Sequence, residues 1–194
     1  MSQRGRTIVY YDNSNIFHSQ RKMGWKIDAK KLFEKLEQAG EIWQTYFFAA
    51  VTDPPRFSQT KFYRMLKDSL HWETLIFPLG KKTHRCRECK ASWVSGAEKG
   101  VDVALATRLL THGVNKAFDT AILVSGDKDY LETVKTVKGF GLRVEIVAFR
   151  QSLSNELAAE SSTPVLYLDD IRKEIEWATP EVEVEHLQVV GDEE

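Results

Sequence analysis

Short apolar runs rich in β-branched and aromatic residues alternate along this chain with stretches whose apolar residues recur at helical spacing. No other feature restricts the fold as much. Thr7 to Tyr11 (TIVYY) carries no charge and reads as a central strand that delivers Asp12 at its end. Asp28 can cap a helix in which Leu32, Phe33, Leu36 and Ala39 recur at helical spacing, with Gly40 as its stop. Ile42 to Val51 (IWQTYFFAAV) reads as a second strand, apolar enough to be covered on both faces, and Pro54-Pro55 breaks it. The rhythm continues with a helix over Phe57 to Leu70, a strand over Glu73 to Pro78 and a helix over Val101 to Leu110. A strand over Thr120 to Ser125, a helix over Tyr130 to Gly139 and a strand over Arg143 to Phe149 follow. Leu153 to Glu160 reads as a helix, Val165 to Leu168 as an edge strand and Asp170 to Trp177 as a last short helix. Such alternation requires right-handed crossovers and a mainly parallel sheet with helices on both faces, an α/β architecture in three layers.

In open α/β sheets the ligand site lies outside the carboxyl ends of the strands. The first strand delivers Asp12 and, three residues on, Asn15; the strand over Thr120 to Ser125 delivers Asp127 and Asp129; the helix before it begins with Asp102 in its first turn. Taken singly, these acids have ordinary readings: a strand end, a first-turn acid favoured by the helix dipole, a helix cap. Converging on one mouth they repel, and the cluster then needs protons or a hard divalent cation, Mg²⁺ or Mn²⁺. A site of this kind activates a water and offsets charge on a phosphoryl group. Glycine-loop nucleotide folds do not fit, because no glycine stands between Gly5 and Gly24 and no G-x-x-x-x-G-K-[ST] motif occurs. Ser125 stands in V-S-G-D, which is not a nucleophile elbow.

The formal charge of −1 averages two unlike regions. Residues 169–194 hold ten acids against Arg172 and Lys173, a net −8, which leaves +7 on residues 1–168. A basic body with an acidic end is common where nucleic acid is handled, although an acidic tail can serve solvation alone. In this division residues 1–170 form one domain and residues 171–194 an acidic helix and tail, which could compete with RNA for the basic residues.

Residues 80–98 show no sustained period and read as a long functional loop. The loop holds the only two cysteines, Cys86 and Cys89, two and five residues after His84. That spacing suits a metal, yet tetrahedral Zn²⁺ needs a fourth ligand, from water, from His18, His71 or His112, or from a partner chain in a homodimer. Two reduced thiols that merely pack the loop fit equally well. Arg85, Arg87 and Lys90, with Lys81 and Lys82 and the rings of His84 and Trp93, offer phosphate contacts and a stacking surface suited to single-stranded RNA. A solvated basic face is the plainer reading. Arg21 and Lys22, with Trp25, could extend the track toward Asp12. No apolar run approaches the ~18 residues of a membrane span, and the first residues lack the core of a signal peptide, so no membrane partner and a cytoplasmic location are expected.

YYDNSN at 10–15, EKGVDVALA at 98–106 and DTAILVSGDKDYLETVKTVKGFGLRVEIVAF at 119–149 resemble the NYN domain family, the LabA-like or DUF88 group of the PIN-like nuclease superfamily. The resemblance spans about residues 5–170. It implies a PIN-like α/β/α sandwich and a metal-dependent ribonuclease. Asp12, Asp102, Asp127 and Asp129 resemble the family's metal-binding acids, Asn15 its polar D-x-x-N position and Ser125 its small hydroxyl before the Gly-Asp turn. Two positions depart from the pattern. Arg108 stands where many relatives carry another acid, about 240° round a helix from Asp102, and Tyr130 stands where phenylalanine is usual. The leading expectation is an endoribonuclease, with a non-catalytic RNA-binding or regulatory adaptor as the alternative.

Overall fold

The computed structural model describes residues 4–52, 54–97 and 100–178. β1 (Thr7–Asp12) leads into α1 (Asn13–Met23), α2 (Ala29–Glu37), β2 (Ile42–Val51), α3 (Phe57–Asp68) and β3 (Glu73–Pro78). An antiparallel pair, β4 (Gly80–Arg85) and β5 (Ser92–Ala97), comes next. The described chain continues through α4 (Val101–Val114), β6 (Thr120–Val124), α5 (Leu131–Gly139), β7 (Arg143–Ala148), α6 (Asn155–Ala159), β8 (Leu166–Tyr167) and α7 (Arg172–Ile175).

Six strands form one parallel sheet in the order β3-β2-β1-β6-β7-β8. Every residue of β1 and β6 is buried, as expected of central strands covered on both faces. Their side chains divide by parity. Val9 and Tyr11 enter a cluster with Ile16 of α1, Leu32 and Leu36 of α2, Leu66 of α3 and Ile175 of α7. Ile8 and Tyr10 enter the opposite one, with Leu105 and Leu109 of α4, Val134 and Val137 of α5 and Leu157 of α6. The expected three-layer α/β/α sandwich is therefore present. Each large apolar side chain removed from water in this way contributes about 1.5–3 kcal/mol. Arg4 clamps the edge of this core by pairing with Glu145 on β7 at 2.7 Å and donating to the Leu36 carbonyl at 2.6 Å.

Two segments differ from the sequence reading. Residues 13–23 form a helix that hydrophobic periodicity does not announce, because only Ile16 and Ser19 are buried along it. Its signals are local instead: the Asp12 carboxylate caps the first turn, and Gly24, left-handed at φ 74°, closes the last. Residues 80–97, read as an irregular loop, are the β4–β5 hairpin, with Gly80 opposite Ala97 and Arg85 opposite Ser92. The pair stands outside the main sheet and its described side chains are mostly exposed, so no apolar face repeats every second residue.

α7, placed by the sequence reading in a C-terminal appendage, buries Ile175 completely and is tied to the body where Asp28 N–H donates to the Ile175 carbonyl at 2.8 Å. The acids of the tail from Glu181 onward lie outside the described residues. Among the described residues no helix is long and apolar enough to cross a membrane.

Candidate active site

The order of strands reverses between β1 and β6, and in such sheets the crevice at that point, beyond the strand carboxyl ends, is where ligands bind. Asp12 is the last residue of β1 and Ser125 follows β6, so both arrive at this crevice. Asp12 is almost wholly buried, at 1% exposure. Its Oδ1 accepts from the backbone N–H groups of Ser14 at 3.0 Å and Asn15 at 3.2 Å, and its Oδ2 accepts from the Ser125 hydroxyl at 2.9 Å. One carboxylate thus caps α1 and joins the two central strand ends.

The Gly-Asp turn is held from both sides. Gly126 N–H donates to Asn15 Oδ1 at 3.0 Å, and Asp127 N–H donates to Ser125 Oγ at 3.2 Å. A Cβ at residue 126 would lie 2.5 Å from the Ser152 carbonyl oxygen and 2.8 Å from Leu153 Cα, so backbone approach requires the glycine here. Asp127 is half-buried and accepts from Asp129 N–H at 3.0 Å; Asp129 itself is exposed, in a 3-10 turn over Lys128–Tyr130.

Tyr130 completes the floor, a role that sequence reasoning did not give it. Its ring is buried, and its hydroxyl stands 3.3 Å from both Asp12 Oδ2 and Asp102 Oδ1. A phenol has one hydrogen to donate, so it serves one carboxylate at a time. Burial, together with the nearby acids Asp12, Asp102 and Asp127, raises its pKa far above that of free tyrosine and keeps it a donor. The sequence signal was the hydroxyl at a position where the family resemblance implies phenylalanine. Burial also pushes the Asp12 carboxyl up to about 6, against the pull of the Asn15 N–H and Ser125 hydroxyl and with the added push of Asp102 and Asp127.

The structure therefore brings Asp12, Asn15, Asp102 and Ser125 together, with Asp127 joined through Ser125. Asp129 lies at the rim. All donors at this mouth are oxygens, and a buried carboxylate held up by neighbouring acids is the chemistry a hard cation relieves. Among the described residues, however, no group of three or more His, Cys, Asp or Glu side chains stands ready to hold a metal ion. His84, Cys86 and Cys89 do not form such a group either, so nothing in the structure supports the zinc set. Cys86 and Cys89 are adjacent, and hydrogen bonds from Cys89 and from the Glu88 N–H lower the Cys86 thiol pKa, while the His84 ring stacks on Trp93 at 5.3 Å and 10°. His112, considered as a remote ligand, is engaged with the Tyr10 hydroxyl at 2.8 Å.

Arg85, Arg87 and Lys90 are exposed on the hairpin around half-exposed Trp93, and Arg21 and Lys22 are exposed on the last turn of α1. The side chains of Lys81 and Lys82 lie outside the described ones. Arg108 is not in the mouth. Its guanidinium stacks 5.1 Å from the Tyr46 ring centre and pairs with Glu73 at 3.4 Å. Tyr46 lies opposite Tyr10, two residues before Asp12 on β1, so Arg108 sits lower along the strands than the acids.

Comparison with known proteins agrees with this architecture. A crystal structure of a protein of unknown function from Vibrio parahaemolyticus superposes with a TM-score of 0.68 at 18% identity, covering 91% of this chain and 99% of that one. At that identity the likeness concerns the fold alone. No curated protein matches the chain. The NYN domain, a PIN-like nuclease fold, matches residues 6–168, and the chain belongs to the NYN domain family.

Proposed function

We propose that this protein is an endoribonuclease that hydrolyses RNA phosphodiester bonds at the mouth formed by Asp12, Asp102 and Asp127, with Asp129 at its rim. The observation that carries the reading is the buried Asp12 carboxylate, hydrogen-bonded to Ser125 and near Tyr130 at the point where strand order reverses. A buried acid raised to about 6 beside two others is costly to keep for structure alone. Asp12, Asp102, Asp127 and Asp129 would hold Mg²⁺ or Mn²⁺, which when bound supplies Lewis acidity toward water and phosphate. Ser125 orients Asp12, Asn15 sets the height of the Gly-Asp turn, and the Tyr130 hydroxyl supplies a hydrogen bond to whichever of Asp12 and Asp102 carries more charge. Arg85, Arg87 and Lys90 of the hairpin, with Trp93 as a stacking face, and Arg21 and Lys22 of α1 draw in a single strand.

The competing reading is an RNA-binding adaptor without efficient cleavage, and its sequence argument is Arg108 at a position where the family resemblance implies an acid. Labelled single-stranded and structured RNA incubated with Mg²⁺, Mn²⁺ or a chelator, beside an Asp127→Asn variant, decides between the two. Metal-dependent cleavage that disappears in the variant supports the enzyme. Binding without cleavage under every condition supports the adaptor.

A further inference from the structure

α1 has two working faces. Ile16 and Ser19 turn into the body and Asn15 reaches the Gly-Asp turn, whereas Asn13, Phe17 and Arg21, at four-residue spacing, line a cavity of about 680 Å³ on the other side. The far walls are α3, through Phe62 and Tyr63, and Trp177. This volume lies in the range of small-molecule pockets. Of this lining the nuclease reading uses Arg21 alone, yet the cavity begins one residue from Asp12, about 3.8 Å along the backbone.

Its chemistry is specific. Phe17 and Trp177 present rings that are 49% and 52% exposed, although such surface is ordinarily withdrawn from water. Trp177 is held in place, since its N–H donates to the Lys26 carbonyl at 2.8 Å and Ile27 pairs with Glu176. Among the described residues of the lining, Arg21 and Lys26 are the charged ones and none is an aspartate or glutamate, and the Arg21 guanidinium sits 5.9 Å from the Phe17 ring centre. Aromatic faces with a rim of cations suit a flat ring carried on a phosphate chain. An acidic peptide would find the cations but would leave the open rings without a stacking partner.

We propose that this cavity receives an unpaired base of the RNA strand, next to the phosphate held at the acid mouth, with Phe17 and Trp177 as its stacking faces and Arg21 and Lys26 on the neighbouring phosphates. The proposal rests on RNA being the ligand of the acid mouth. It makes the pocket the element that selects single-stranded over paired substrate, because a base must leave its stack to enter.

The test measures binding of ten-nucleotide single-stranded RNAs, each with one abasic position, to the full chain carrying Asp127→Asn, with and without Phe17→Ala or Trp177→Ala. Both aromatic positions are half-exposed, and thermal melts verify that the variants fold. Loss of one base, at one position, weakens binding about 10-fold with the pocket intact and less than about 2-fold once either ring is removed. Equal affinity for all abasic strands, the result expected if a protein segment or a free small molecule fills the cavity, overturns the proposal, as does absence of RNA binding. The outcomes also separate the two readings. Cleavage by the unmodified chain without any abasic dependence rejects the base pocket and leaves the nuclease standing; abasic dependence without cleavage does the reverse.

Discussion

Ser125 donates its hydroxyl hydrogen to Asp12 Oδ2 at 2.9 Å, joining the ends of the two central strands beneath the acid mouth. This bond favours the ionised carboxylate, against the burial that pushes Asp12 up to about 6. In Ser125→Ala the Asp12 midpoint moves higher still, by roughly one pH unit for a hydrogen bond to a charged group. Carbon-13 titration of the aspartate carboxyls in metal-free protein reads it directly. A wild-type midpoint near the ordinary value of 3.8, or no change in the variant, contradicts the role given to Ser125.

The same raised carboxyl sets a stability dependence. An acid that binds its proton more tightly folded than unfolded leaves stability at its fullest below about pH 3.8, and this is lost as pH rises through about 6. The difference corresponds to about 3 kcal/mol at pH 7.5. Asp12→Asn keeps the cap on α1 and removes the charge, so its Tm at pH 7.5 exceeds that of the wild type by several degrees in chelator, and the gain disappears near pH 4. Calorimetry at both pH values checks this, and a variant no more stable than wild type at pH 7.5 refutes it.

Gly126→Ala places a methyl group against the backbone of Ser152 and Leu153, which cannot rotate away. The expected cost is about 1–3 kcal/mol, with displacement of the turn that carries Asp127. Denaturant melts give the first and cleavage rates the second. Unchanged values for both show that the close approach is relieved without moving the turn.

Arg108 stands where the family resemblance implies an acid, but it is committed to Glu73 and the Tyr46 ring. Arg108→Ala therefore costs about 1 kcal/mol of stability through lost stacking and a part-exposed ion pair. RNA cleavage stays within about twofold of wild type. A large change in cleavage rate shows that this side chain reaches the mouth.

Much of this architecture was legible because the central strands are apolar on both faces and end in acids, so position along the chain already placed Asp12 and Asp127. The helix α1 was not, since its cap is the Asp12 carboxylate itself and its outer face lines a cavity. The β4–β5 hairpin escaped for a related reason, because strands that cover no core carry no two-residue apolar repeat. At the site, pattern reasoning found the carboxylates and missed what lies between them. That the Tyr130 hydroxyl would stand 3.3 Å from two acids depends on how α5 packs on α4, and no spacing within SGDKDY encodes it.

The most direct measurement is the single-turnover rate of cleavage of a 5′-labelled single-stranded RNA in Mn²⁺ by wild type and by Asp102→Asn. This variant removes one exposed charge from the first turn of α4 and leaves the core untouched. The expected rate in the variant is lower by about 100-fold or more, with RNA affinity within a few-fold. Cleavage undiminished in Asp102→Asn, or no cleavage by wild type in any divalent metal, contradicts the endoribonuclease reading.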